Sequence, residues 1–160
     1  MESGRVFTHS FLFFGFVLIS VGYGQARLAP IVVWSPPLWT WHIAVALNLV
    51  AFVLLTAAYV PQNHLKAKLE DPMIIGVKTW ALAHLISNGT LAGIILFGSF
   101  LVWAVLDYRS CRKRRSKNMR VPQTRTSVAM TLATLAIGLA GWALFLLYAH
   151  QTLMGIQPLI

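Results

Sequence analysis

Apolar residues run along this chain in long blocks, not at the spacing of a helix or strand with one face in water. Five blocks can be read, over residues 7–23, 39–60, 73–87, 90–108 and 128–149. Such runs, nearly free of charge, predict helices that cross a hydrocarbon layer. The boundaries carry their own signals. The stretch Gly22-Tyr23-Gly24 is expected to end the first block, and Pro61 stops the second. Asp71 offers an N-cap to the third, with Pro72 at the first helical position. Blocks three and four need a break between them. Fused over 73–108 they would form one helix of about 54 Å, against a hydrocarbon core of about 30 Å. The turn dipeptide Asn88-Gly89 stands where that break is needed. The third block alone is about 22 Å long, short enough to be a re-entrant segment. The pattern predicts an all-α, polytopic transmembrane helix bundle: a single membrane domain over 1–160, with about five spans.

The charges orient it. The chain has thirteen Lys and Arg against four Asp and Glu, a formal net charge of +9. Eight of the cations lie in one loop, 109–127. With five spans and that loop in the cytoplasm, Arg5, Lys66 and Lys68 join it inside and only Arg27 falls outside. A re-entrant third block would move Arg5, Lys66 and Lys68 to the outer side, so five spans with the N-terminus inside is the better reading. Positive charge gathered in one loop beside spans reflects orientation, and nucleic acid is not expected as a partner. Composition agrees: 58% of residues are hydrophobic, 11% are charged, and the mean hydropathy is +0.70. That is too little charge to cover a water-facing surface. Cys111 stands alone, which excludes an intrachain disulfide framework and a cysteine-only metal site. No removable signal peptide is read at the N-terminus.

Residues that break the apolar pattern suggest roles. In the loop 30–41, Pro36-Pro37 is flanked by Trp34, Trp39 and Trp41, as in an aromatic belt at the outer interface; a lid over a site is the alternative. Alanines 129, 133, 136, 140 and 143 recur at 4-3-4-3 spacing and predict a packing seam on the fifth span, leading to His150. His42, His84 and His150 all fall in the outer third of the membrane, whereas His9 and His64 lie toward the inner interface. His84 shares a helix face with Trp80, Ser87 and Asn88. That face suits an imidazole ligand with an aromatic wall, or an interhelical hydrogen bond. Lys78 is expected to snorkel or to pair with Asp107, and Asn48 to bond across helices or to meet a polar ligand group. Hydrolase, phosphate-loop and metalloprotease motifs are absent, and a carboxylate proton pathway has little to work with.

Several stretches, taken together, resemble the NnrU family of bacterial inner-membrane proteins. They are Val21 to Arg27, Trp34-Ser35-Pro36-Pro37-Leu38-Trp39, Ala57-Ala58-Tyr59-Val60-Pro61, Pro72-Met73 through Lys78, Trp80 to Asn88-Gly89, and Leu96-Phe97-Gly98-Ser99-Phe100 through Asp107. The family is linked to denitrification and related to plant zeta-carotene isomerase. The resemblance implies a helical membrane bundle, a b-type haem held by histidine, and cis/trans isomerisation of a carotenoid-like lipid or a role in nitrogen-oxide metabolism. His84 falls on a family histidine and is the expected ligand to haem iron. Trp80, Asn88 and His150 would line the site. Relatives usually open with a further N-terminal helix bearing a histidine, and this chain is read as starting after it. Either the true start lies upstream, or that ligand is lacking and a two-histidine haem site needs His42 or His150 in its place or does not form. The rival expectation is a non-enzymatic scaffold or assembly subunit, using the alanine seam to pack against partner helices in a homo-oligomer or larger complex.

Overall fold

The computed structural model describes residues 14–15, 17–117 and 125–150. Residues 7–13 of the first predicted span, His9 among them, and 118–124 of the basic loop lie outside the described residues. The chain forms α1 (Val17–Ala26), α2 (Leu38–Tyr59), α3 (His64–Leu69), α4 (Pro72–Ser87), α5 (Leu91–Lys117) and α6 (Val128–Leu144). A wider, π-helical turn over Phe145–Ala149 continues α6. The fold is all-α, as the apolar pattern predicts. Among the described residues, three helices are long and apolar enough to cross a membrane: α2, α5, and α6 with its π turn; α1 and α4 are shorter.

The loops sort into two groups, one at each end. At one end the α1–α2 connection is fastened to the α4–α5 turn. The Val33 and Trp34 amides donate to the Gly89 carbonyl at 2.8 and 3.2 Å, and Leu91 N–H donates to Ile31 O at 2.8 Å. At the other end Ser127 N–H donates to Gln62 O at 2.8 Å, and His64 N–H to the Thr131 hydroxyl at 3.0 Å. There Arg115 also bridges to Glu70 and Asp71. Helix α4 begins in the second group and ends in the first, so it runs the length of the bundle instead of returning to the side it came from. Its 16 residues cover about 24 Å. Asn63, only 1% exposed, holds the reversal between α2 and α3. Its amide donates to Ala57 O, and its side-chain oxygen accepts from Lys66 N–H.

Helix α2 packs against α4 on one side and α6 on the other, and α5 packs on the far side of α4. Small residues bring them together. Ala44, Ala51 and Ala57 of α2 and Ala81 and Ala83 of α4 are buried. A Cβ on Gly76 would stand 3.3 Å from the Ala51 carbonyl oxygen. Large apolar side chains such as Val50, Val102, Leu106 and Leu139 point outward instead, each between 48% and 60% exposed. In water such a surface would aggregate; in lipid it is matched to its solvent.

Several details depart from the sequence reading. The Gly22-Tyr23-Gly24 stretch does not end the first helix, which continues to Ala26. Helix α5 does not stop at Tyr108 but carries on to Lys117, taking the first nine residues of the basic loop into a helix. The alanine rhythm is not the seam between α6 and α2. That contact falls on Thr134 and Gly138, both buried, whereas Ala129, Ala136 and Ala140 are exposed. Glycine allows a closer approach than alanine: a Cβ on Gly138 would meet Val53 Cα at 2.8 Å. Asp71 is the N-cap residue of α4, but its carboxylate turns to Arg115 and makes no cap hydrogen bond. Asn48 donates to Ala44 O in its own helix at 2.8 Å, not across to a neighbour. Lys78 does not pair with Asp107. Its Nζ lies over the Tyr108 ring, while Asp107 faces Arg114.

Candidate functional site

The last turns of α4 and the first turns of α5 form an aromatic nest around His84. Trp80 and His84 stand four residues apart on α4, so the indole meets the imidazole edge-on, with ring centres 5.2 Å apart and planes at 78°. From α5, Phe97 stacks on the imidazole at 4.4 Å and 18°. Trp80 also meets Phe97 at 5.3 Å and Phe100 at 5.4 Å, both edge-on. Tyr23 of α1 closes the group with an edge contact to Phe97 at 6.4 Å. These are the offset and T-shaped geometries that aromatic quadrupoles favour, so the nest is rigid as well as apolar. Phe97, Phe100 and Tyr23 carry no role in the sequence reading. Phe97 and Phe100 share the α5 face that also holds buried Gly93 and Ala104, and that periodicity was the available signal.

Neither ring nitrogen of His84 makes a hydrogen bond to a described residue, nor is either sealed away as a buried, unpartnered atom. The ring is thus held by its faces and left uncommitted at its nitrogens. His150, at the end of the π turn, lies within electrostatic range of His84. It meets Phe145 edge-on at 5.9 Å, and Phe145 in turn leans on Phe52 of α2 at 5.5 Å. The π turn bonds His150 N–H to Phe145 O, five residues back, which changes the direction in which position 150 leaves the helix. His42 stands exposed on the first turn of α2 and has no contact with the nest among the described interactions.

Asn88 does not hold the His84 ring; it latches the surrounding backbone. Its side-chain oxygen accepts from Thr90 N–H at 3.0 Å and from the Thr90 hydroxyl at 2.8 Å. Its amide donates to the Tyr23 hydroxyl at 3.3 Å. One residue therefore ends α4, starts α5 and anchors α1.

Beside the nest, between α1 and α5, runs a groove of about 640 Å³. Leu18, Ile19, Gly22 and Tyr23 form one wall; Ala92, Ile95, Leu96, Ser99, Phe100 and Trp103 form the other. Tyr23 and Phe100 belong to both groove and nest. The described lining contains no carboxylate, histidine, lysine or arginine, and the Ser99 hydroxyl donates to Ile95 O at 2.6 Å. It can shelter an apolar chain, with the Tyr23 and Ser99 hydroxyls as its polar side-chain groups.

The described residues contain no group of three or more His, Cys, Asp or Glu able to hold a metal ion by side chains alone. A metal that brings its own equatorial ligands needs only one or two imidazoles, so that absence bears only on cages built from side chains alone.

Apolar helices crossing between two sets of loops, with an enclosed histidine beside a greasy groove, define a multi-pass α-helical membrane protein. The chain matches the NnrU protein family over residues 5–158, nearly its whole length, and belongs to that family. No curated protein and no solved structure matches it.

Proposed function

We propose that this NnrU protein binds a b-type haem through His84, with His150 as the second imidazole, in a bacterial inner membrane. The observation that carries the reading is the state of His84: stacked by Phe97, met edge-on by Trp80, and with no hydrogen-bond partner for its nitrogens among the described residues. A ligand imidazole needs that combination of fixed orientation and available lone pair. Bound haem would supply a redox-active iron next to an apolar groove. Within this reading the chain's own residues have distinct tasks. Trp80, Phe97 and Phe100 exclude water and hold the His84 plane, Asn88 fixes the turn that ends α4, and the α1–α5 groove binds an unsaturated lipid. Double-bond isomerisation adds and removes no atoms, which suits a groove whose described walls carry no charged side chain. A role in nitrogen-oxide metabolism would use the same haem with a smaller ligand.

The test is the absorption spectrum of protein purified in mild detergent, oxidised and then reduced with dithionite. A Soret band near stoichiometric with protein, lost in an inserted and folded His84→Ala variant, is expected. Wild-type haem content in that variant would refute the assignment. A featureless wild-type spectrum, from protein made with haem present, would favour the other reading, a scaffold packing through the exposed alanines of α6. The scaffold reading expects leucine at Ala136 and Ala140 to change oligomeric state or partner recovery.

A further inference from the structure

The basic end of the α4–α5 seam carries two cations that no described carboxylate neutralises. Lys78 is half-buried on α4, about 10 Å along the helix from Asp71. Its Nζ lies 5.0 Å from the centre of the Tyr108 ring. The guanidinium carbon of Arg112, one turn beyond Tyr108 on α5, lies over the same ring at 5.9 Å. The carboxylates in the neighbourhood are engaged elsewhere. Asp107 faces Arg114 at 3.9 Å, and Glu70 and Asp71 both bind Arg115. No described carboxylate pairs with Lys78 or Arg112. A ring face returns less to an ammonium group than an anion does, and an unpaired lysine in an apolar span is costly.

Two helices thus aim cations at one aromatic platform, at the end of the bundle where α5 carries its basic residues. Leu82, four residues on from Lys78 along the same face, is 43% exposed, so an acyl chain leading away from that point meets apolar surface. We propose that this seam binds the phosphate of an anionic phospholipid, with Lys78 reaching it from the membrane side and Arg112 from the water side. Basic pockets between spans at a positively charged membrane face commonly take such headgroups.

The test titrates the full chain in a neutral detergent with dioleoylphosphatidylglycerol or dioleoylphosphatidylcholine and follows the thermal midpoint. A saturable rise with phosphatidylglycerol, absent with phosphatidylcholine, is expected. Arg112→Gln and Lys78→Met should each raise the half-saturating lipid concentration by about tenfold, the scale of one charge-assisted hydrogen bond. Lys113→Gln removes an exposed charge that does not face the ring and should leave the titration unchanged. Equal weakening by Lys113→Gln would reduce the effect to general charge attraction and overturn the site. An unchanged titration in Arg112→Gln would do so too, and that variant keeps the test decisive if Lys78→Met fails to fold. Inorganic phosphate that reproduces the shift without lipid would assign the site to a soluble anion and overturn the lipid assignment.

Discussion

Replacing Gly89 with alanine tests how the site end of the bundle is closed. The residue is buried in the α4–α5 turn, and its carbonyl accepts two hydrogen bonds from the α1–α2 loop. A Cβ there would sit 1.7 Å from the Trp34 carbonyl oxygen and 2.8 Å from its carbon. The obstacle is backbone, so no rotamer change relieves it, and loop and turn must separate by more than 1 Å. Three hydrogen bonds then fail: Val33 to Gly89, Trp34 to Gly89, and Leu91 to Ile31. At roughly 1 kcal/mol each, the loss is about 3 kcal/mol, less any part recovered from water at the interface. The control is Gly98→Ala in α5, where an added Cβ meets nothing within 4 Å and helix propensity favours the change by up to about 1 kcal/mol. Unfolding of both variants in mixed detergent micelles, followed by tryptophan fluorescence, gives the comparison. Gly89→Ala should be destabilised by about 3–4 kcal/mol relative to Gly98→Ala. If the two are equally stable, the loop is not held against the turn and the description of this end fails.

Other outcomes follow from the same geometry. Gly138→Ala should cost about 1–3 kcal/mol because its Cβ meets Val53 backbone, whereas Ala136→Leu should leave the stability of the isolated chain near wild type; unfolding midpoints of the two variants check this. Arg115→Gln should cost about 1 kcal/mol, with the effect shrinking in high salt, because the ion pairs it removes are partly exposed. For orientation, a cysteine at position 66, in a chain with Cys111 replaced, should be labelled by impermeant reagent only from the cytoplasmic side. Labelling from the periplasmic side would reverse the positive-inside assignment.

The sequence determined the solvent and the elements. Apolar blocks of 15 to 22 residues point to lipid-facing helices, because in hydrocarbon every backbone group of a helix must bond within its own segment. Pro61, Asp71-Pro72 and Asn88-Gly89 marked real boundaries for the same local reason: proline removes a donor, and the turn residues leave the helical region. His84 stood out on the same basis, as a titratable ring in an apolar run. What needed tertiary structure was every question about which face meets which neighbour. Alanine spacing marks one helix face as small, but α2 chose the Thr134–Gly138 face, since only glycine lets Val53 backbone come so close. Asp71 and Lys78 each had a plausible role by spacing and took a different one, because side-chain contacts depend on what a neighbouring helix presents. The nest of Phe97, Phe100 and Tyr23 around His84, and the groove beside it, join residues over sixty positions apart. No local pattern encodes that meeting; it exists only once the Asn88 latch and the Gly89 closure bring α1, α4 and α5 to the same end of the bundle.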